Sequence, residues 1–315
     1  MDIKLINREN SPKPRRSVLS VPGHIEKMHL KASKSNADVI MLDLEDSVPV
    51  ESKEEARKRV ITSLKEIDWE NKTLSVRING TDTPFAYNDV IEITEEAGSM
   101  IDSIVIPKVN DAKDSHFVSL LLDGIEMNKG LKNKIGIELS IETAPGMEKV
   151  SEIAHSSARA VSLVFGIADY SASIGARLKS ISGHGEKEEE IYPGHRWHYA
   201  LSRLVMAGKA SGLAVIDAPY GNFSDPEGLM KSAGLSAALG CDGKWAIHPS
   251  QIDTINEVFS PSEEDVERAR KIVEAHAEAQ ENGLGAVSLE GRMVDRATIR
   301  MAEDLLFKAK YLKLI

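Results

Sequence analysis

The sequence is short of cysteine and of positive charge. Cys241 is the single cysteine in 315 residues, so an internal disulfide cannot form, and it has no Cys or His neighbour at zinc-finger spacing. This is typical of a protein from a reducing compartment, where such a cysteine is a small buried apolar residue. Acidic residues outnumber basic ones by 49 to 39, and the net charge of -10 repels polyanions. Nucleic acid is therefore excluded as a general partner.

Long apolar runs are also absent. No segment approaches the length that crosses a bilayer, so no contact with a membrane is expected. The first twenty residues, MDIKLINRENSPKPRRSVLS, contain no apolar stretch before a small-residue cleavage site and do not resemble a secretory signal. These features together predict a cytoplasmic protein.

Strand-like runs alternate with helix-like segments along most of the chain. Each run is rich in Val, Ile or Leu and is bounded by Gly, Pro, Asn or Asp. The eight predicted strands are 16–21, 38–44, 73–79, 103–109, 134–142, 160–167, 214–218 and 244–248. Apolar residues recur at helical spacing between them, as in 50–67.

This alternation predicts an α/β fold with a parallel sheet covered by helices. Eight strand and helix units fit a (β/α)8 TIM barrel. A doubly wound open sheet is the main alternative, but no G-x-G-x-x-G follows the first strand. We therefore favour the barrel.

Two segments depart from the repeat. Residues 171–197 form a long polar insertion after the sixth strand, where barrel loops carry out chemistry, and could be a lid. The chain also continues past the eighth strand for longer than a barrel needs. We expect a barrel domain at 1–255 and a helical lid or oligomerisation segment at 256–315.

Charged residues follow several predicted strands at their carboxyl ends, where barrels of this type place catalytic groups. Arg77, Glu142 and Asp169 lie there, as do Glu45 and Asp46. Each alone could be a solvated loop charge or half of an ion pair, but their joint placement is more informative. Two carboxylates suffice for Mg²⁺, which keeps water or substrate at its other positions, and an arginine suits an anionic substrate.

Other polar residues leave alternatives open. Asp43 could be a structural carboxylate beneath the site. Lys108 could form a Schiff base, although an ion pair or phosphate contact on the rim is favoured. His248 suits helix capping and substrate contact equally well. The absence of HExxH spacing argues against zinc, and the absence of GxSxG argues against a serine nucleophile.

Several motifs, in order, closely resemble the superfamily of citrate lyase β-subunits and HpcH/HpaI aldolases, and within it the malyl-CoA lyases. The resemblance covers the chain from about Arg16 to the C-terminus. Its segments are RRSVLSVPG, ADVIMLDLEDSV, VRINGTDT, IPKV, IETAPG, VFGIADY, GKWAIHPSQI and SLEGRMVD.

The resemblance implies a TIM barrel that forms trimers or hexamers. It also implies Mg²⁺ or Mn²⁺ held by Glu142 and Asp169, with Arg77 in contact with substrate. The C-terminal segment would cover the active site of a neighbouring subunit and supply Asp295 as the catalytic acid or base. From the residues alone, Asp295 would be only a helix N-cap.

The same resemblance suggests residues for coenzyme A. Arg16 and Lys27 are candidates for phosphate contacts in the first βα region, and His248 and Pro249 are expected beside the substrate. Glu45 and Asp46 would support the metal ligands from behind.

The function implied is reversible Claisen chemistry. A 3-hydroxyacyl-CoA such as L-malyl-CoA, or β-methylmalyl-CoA, would split into glyoxylate and acetyl-CoA, or propionyl-CoA. The alternatives are a citramalyl-CoA lyase, a malyl-CoA thioesterase, an aldolase acting on free hydroxy-keto acids, and a non-catalytic lyase subunit that binds an acyl carrier. One methyl group is worth only about 1 to 3 kcal/mol in a pocket, so the sequence does not separate the first alternative.

Overall fold

The structure is a computed structural model, and it describes residues 13–177, 195–281, 287–289 and 291–315. The chain divides into two compact units, Met1–Asn256 and Glu257–Ile315. Most of the predicted lid, at 178–194, lies outside the described residues. No helix in the described ranges is long and apolar enough to span a membrane.

The first unit contains a closed barrel of eight parallel strands, each paired with the next in sequence order and the last with the first. This confirms the predicted (β/α)8 TIM barrel and excludes the open sheet. The strands are β1 Ser17–Pro22, β2 Val39–Asp43, β3 Thr73–Arg77, β4 Ser103–Ile106, β5 Gly136–Ile141, β6 Ala160–Phe165, β7 Ala214–Asp217 and β8 Gly243–Ala246.

All eight predicted strands are present, with ends that shift by up to three residues. The largest shift is at β4, which ends at Ile106 instead of residue 109. Pro107 has no N–H to donate to a neighbouring strand, and Lys108 has a positive φ of 49°. The chain therefore leaves the sheet early, and Lys108 belongs to the loop.

Helices follow the strands around the outside of the barrel, as expected for a parallel sheet whose strands are buried on both faces. Within the described ranges, the α-helices are α1 Glu26–Ser33, α2 Lys53–Glu66, α3 Ala86–Ala97, α4 Ala112–Lys129, α5 Ala144–Glu148, α6 Val150–Ala154, α7 Ile167–Ser173, α8 His198–Ala210, α9 Pro226–Leu239, α10 Ile252–Val258, α11 Glu263–Glu281 and α12 Arg296–Tyr311.

Charged side chains are buried towards the amino ends of the strands, and each has a partner. Glu138 of β5 pairs with Arg15 at 2.8 Å and accepts hydrogen bonds from Ser103 Oγ and Ser162 Oγ. Lys244 Nζ lies 2.5 Å from Asp217 Oδ2. Burying these ions is tolerable because each is neutralised and hydrogen-bonded. This end of the barrel is a closed structural network.

The second unit consists of α11, a two-stranded antiparallel hairpin and α12. The hairpin strands are β9 Val287–Leu289 and β10 Arg292–Val294, which pair in register. Asp295 directly follows β10 and begins α12.

Candidate active site

Neighbouring strands bring Asp43 and Arg77 together. The two are the last residues of β2 and β3, and the register pairs them directly. Arg77 Nε and Nη2 donate to the two carboxylate oxygens of Asp43 at 2.6 and 2.8 Å. Burial opposes both charges, but this bidentate pair outweighs it, so the pKa of Asp43 is lowered and that of Arg77 is raised. Asp43 is thus the structural carboxylate that the sequence suggested.

The loop after β2 carries Glu45 and Asp46. Asp43 Oδ1 accepts from the backbone N–H of Glu45 at 2.9 Å, and the buried Lys53 Nζ donates to the carbonyl of Glu45 at 2.7 Å. Glu45 is buried and its Oε2 lies 2.9 Å from Arg77 Nη1, without the alignment of a hydrogen bond. Asp46 is 58% exposed.

Lys108 connects this loop to the next strand. Its Nζ forms a short ion pair with Glu45 and lies 3.2 Å from both carboxylate oxygens of Asp46. Its backbone N–H donates to Glu142 Oε1 at 2.7 Å. Burial opposes the ammonium, but these carboxylates raise the pKa of Lys108. Lys108 therefore forms ion pairs on the rim of the barrel, which was one of the two roles that the sequence favoured.

Glu142 stands immediately after β5 and is buried, with 2% of its surface exposed. Burial raises the pKa of its carboxyl to about 7, with smaller contributions from Glu45 and Asp169, while Arg77 and the Lys108 N–H act in the opposite direction. Glu142 packs against Gly166, where a Cβ would lie 2.1 Å from Glu142 Oε2. Only glycine leaves room for this carboxylate.

Asp169 lies in the first turn of α7, after β6, and is 38% exposed. Its Oδ1 is 3.9 Å from Lys108 Nζ. Lys108 therefore contacts Glu142 through its backbone and Asp169 through its side chain. The structure brings together the predicted residues Arg77, Glu142, Asp169, Glu45 and Asp46.

This cluster has more negative than positive groups. Among the described residues, the carboxylates are Asp43, Glu45, Asp46, Glu142 and Asp169, and the cations are Lys53, Arg77 and Lys108. Five carboxylates face three cations, and Arg77 is largely taken by Asp43. A divalent cation would offset the excess.

Glu142 and Asp169 could hold that cation, since carboxylate oxygens are the ligands that Mg²⁺ prefers. Within the described ranges, no group of three or more Asp, Glu, His or Cys side chains is arranged to hold a metal by itself. Two carboxylates with water or substrate at the remaining positions fit Mg²⁺, whereas the described residues do not form a site closed by protein ligands.

Arg16 is not part of this cluster, contrary to expectation. It precedes β1 instead of following it, and its Nε and Nη2 donate to Asp38 at 2.8 and 2.7 Å. Asp38 precedes β2, so both residues lie at the amino ends of the strands, opposite Glu142. Arg16 joins two strands there and does not belong to the first βα region.

Lys27, His248 and Pro249 do lie beyond the carboxyl ends of their strands. Lys27 is exposed in the first turn of α1. His248 caps a short 3₁₀ turn, accepting from the backbone N–H of Ser250 at 3.2 Å, and Pro249 is the first residue of that turn. The His248 ring stacks on Phe223 with centroids 4.9 Å apart. Capping is therefore observed for His248.

Asp295 belongs to the second unit, where it is exposed and caps α12. Its Oδ1 accepts from the backbone N–H and the hydroxyl of Thr298, both at 2.8 Å. These hydrogen bonds, the backbone one first, lower the pKa of Asp295. The capping role suggested by the residues alone is present.

Sequence reasoning missed Gly166 and the stacked pair of Phe223 and His248. Gly166 stands directly after β6, in VFGIADY, and a glycine directly after a strand was the available signal. Gly166 accommodates Glu142, which follows a different strand, so the local sequence around Gly166 does not predict this contact. Phe223 lies in the loop after β7, and its local sequence does not show that it stacks on His248.

The fold and the rim cluster place the chain among TIM barrels whose functional groups stand at the carboxyl ends of the strands. The chain belongs to the HpcH/HpaI aldolase/citrate lyase family, whose model matches residues 16–249. This confirms the family that the motifs indicated.

Named relatives cover nearly all of the chain. An L-malyl-CoA/β-methylmalyl-CoA lyase of Rhodobacter capsulatus is 44% identical over 93% of both chains. A malyl-CoA/β-methylmalyl-CoA/citramalyl-CoA lyase of Chloroflexus aurantiacus is 32% identical over 96% of this chain and 90% of its own. Among solved structures, CitE from Mycobacterium tuberculosis, in complex with magnesium, acetoacetate and coenzyme A, aligns with a TM-score of 0.74 at 26% identity, over 95% of this chain and 98% of its own.

Proposed function

We propose that this protein is a carbon–carbon lyase that reversibly cleaves L-malyl-CoA, or β-methylmalyl-CoA, to glyoxylate and acetyl-CoA, or propionyl-CoA. The observation that carries the proposal is the buried rim cluster around Glu142, in a chain 44% identical to a lyase of that name. The acyl-CoA substrate and Mg²⁺ agree with the ligands named for the CitE structure.

Glu142 and Asp169 would hold the Mg²⁺ or Mn²⁺ ion. When bound there, the ion would supply Lewis acidity for the aldehyde oxygen of glyoxylate in condensation and for the hydroxyl oxygen of the substrate in cleavage. Lys108 and Gly166 fix Glu142 in place, through a hydrogen bond of 2.7 Å and through close packing. Glu45 and Asp46 would act on the ligands indirectly, through the Lys108 ammonium that both contact.

Arg77 would stabilise negative charge on the thioester enolate or the substrate carboxylate. A guanidinium has five N–H donors, and Asp43 accepts from two of its nitrogens. The bidentate pair fixes the plane of the group, so its remaining donors keep one direction. Asp43 thus orients Arg77 before substrate arrives.

Asp295 would move the proton between the acetyl methyl group and solvent, acting on a neighbouring subunit of a trimer or hexamer. Its lowered pKa makes it a weak base where it is exposed, so the step needs exclusion of water. Lys27, His248 and Pro249 remain candidates for contacts with coenzyme A. The single buried cysteine supports a reducing compartment, and we propose the cytoplasm.

The test is to incubate the purified protein and Mg²⁺ separately with L-malyl-CoA, β-methylmalyl-CoA and citramalyl-CoA, and to identify products by mass spectrometry. Glyoxylate with acetyl-CoA is expected from the first and glyoxylate with propionyl-CoA from the second. Free malate with coenzyme A would instead show a thioesterase. Pyruvate from the third at the highest rate would show a citramalyl-CoA lyase, and intact substrates in all three would contradict catalysis.

The shared site is tested by mixing two inactive variants, Glu142→Gln and Asp295→Asn. Subunits that exchange would form some sites with both residues intact, so part of the activity should return. Wild-type subunits carrying two different tags would show that exchange occurs. No recovery despite exchange would contradict a site shared between two subunits.

A further inference from the structure

Lys108 holds the acidic cluster in two independent ways. Its backbone N–H donates to Glu142 Oε1, while its ammonium contacts Glu45 and Asp46. The residue has a φ of 49°, a left-handed conformation that costs a non-glycine residue on the order of 1 kcal/mol. We attribute this cost to the requirement that the backbone N–H and the side chain of Lys108 both reach the acidic cluster.

Lys108 differs from the other two cations of the cluster in its freedom to move. Arg77 is buried and bound at two points to Asp43. Lys53 is buried and donates to the carbonyls of Leu44 and Glu45 at 2.9 and 2.7 Å. The Lys108 side chain is 33% exposed, so its ammonium can move into water. The buried Glu45 that it leaves still has Arg77 Nη1 at 2.9 Å from its Oε2.

The Lys108 ammonium also reaches one of the two candidate metal ligands. It lies 3.9 Å from Asp169 Oδ1, while it pairs with Glu45. A divalent cation held by Glu142 and Asp169 would repel an ammonium at this distance. The two cations therefore compete for the same carboxylates.

We propose that the Lys108 side chain is a positioning group that neutralises the carboxylates of the empty metal site and is displaced when the divalent cation binds. The inference rests on the proposed function only for the presence of a metal site. After displacement, the backbone N–H still orients Glu142 Oε1, because it does not depend on the side chain. One residue thus both orients a ligand and lowers the affinity for the ion.

The test is the affinity of the full chain for Mn²⁺ without substrate, measured by electron paramagnetic resonance for the wild type and for Lys108→Met. Methionine keeps the length of the stem and the backbone N–H but has no charge. We expect about threefold to tenfold tighter binding, a modest effect because the ammonium is partly solvated. Unchanged or weaker binding, or no Mn²⁺ bound to either protein, would overturn the proposal.

Two further variants isolate the charge. Lys108→Arg keeps a cation and should bind Mn²⁺ as the wild type does. Lys149→Met removes an exposed lysine that pairs with Asp111 at 2.6 Å, so it should leave the affinity unchanged. Tighter binding in Lys149→Met equal to that in Lys108→Met would reduce the effect to net charge and contradict the proposal.

Activity is measured separately, so that the two proposals fail separately. Tighter Mn²⁺ binding in Lys108→Met, with no cleavage of malyl-CoA by the wild type, would support displacement and contradict the proposed function. Cleavage by the wild type, with no gain in Mn²⁺ affinity in Lys108→Met, would support the proposed function and contradict displacement.

Discussion

Two glutamates, one within β5 and one directly after it, show how the two ends of the barrel differ. Glu138 and Glu142 are four residues apart and are both buried, at 1% and 2% exposure. Arg15 and two hydroxyls overcome the effect of burial and lower the pKa of Glu138, whereas burial raises that of Glu142 to about 7. Glu138 has its own counterion, but Glu142 shares Arg77 with Asp43 and Glu45 and lies near Asp169. Glu138 at the amino end is thus neutralised by its own partners, whereas the carboxylates at the carboxyl end exceed their cations, and the proposed divalent ion would offset the excess.

The largest expected effect is on activity in Glu142→Gln. Removing one of the two proposed carboxylate ligands should lower kcat/KM about a thousandfold, since bound metals contribute several kcal/mol to such transition states. The matched change Glu138→Gln should leave kcat/KM of the folded enzyme within about threefold, as expected away from the chemistry. Steady-state kinetics with malyl-CoA and Mg²⁺ measure both. Equal losses of kcat/KM in the two variants would contradict the functional difference between the two ends of the barrel.

The next effect is on stability, and here Glu138→Gln should lose more than Glu142→Gln. Glu138→Gln leaves the Arg15 side chain, which is 11% exposed, without a full counterion, and this should lower the free energy of unfolding by about 3 to 5 kcal/mol. Urea denaturation followed by circular dichroism measures this. Glu142→Gln in EDTA should unfold at the same urea concentration as the wild type or higher. A large loss in Glu142→Gln would mean that its charge stabilises the fold.

The third effect is the pH dependence of the metal-free protein. The folded pKa of Glu142 is about 7, above its value of about 4.5 in an unfolded chain. As pH rises between these values, the unfolded chain loses a proton that the folded chain keeps, so stability falls by up to about 3 kcal/mol. Below this pH window, the protonated Glu142 contributes its full stabilisation.

Urea denaturation in EDTA from pH 4 to pH 8 tests this. The difference between the wild type and Glu142→Gln isolates the one group, and it should grow across the window in favour of the variant. A difference that does not vary with pH would contradict the raised pKa.

The smallest effect is on packing around the ligand. In Gly166→Ala the new methyl group would overlap Glu142 Oε2, which should cost about 1 to 3 kcal/mol of stability and about tenfold in Mn²⁺ affinity. Gly124→Ala is the control, because a Cβ there meets nothing within 4 Å. It should stabilise α4 by about 0.5 to 1 kcal/mol. Equal behaviour of the two variants would show that Glu142 has room to move.

Local sequence predicted the barrel because each strand carries its own apolar run and breakers. It predicted Arg77, Glu142 and Asp169 because the carboxyl ends of parallel strands meet at one rim. The bidentate pair of Asp43 and Arg77 depends on the register between strands, which no single segment encodes.

Arg16 shows where this reasoning fails. The expectation placed it in the first βα region, but β1 begins one residue after it. Asp38, directly before β2, fixes Arg16 at the amino end of the barrel. The reason for Gly166 was likewise hidden, because it is a distance to a side chain on another strand. Both features depend on contacts between different strands, which the pattern of one local segment does not predict.

Mn²⁺ binding at equilibrium tests the central claim most directly. The wild type and Glu138→Gln should each bind one ion per chain at the rim, and Glu142→Gln and Asp169→Asn should each lose that ion. Retention of the ion by both rim variants would contradict the account.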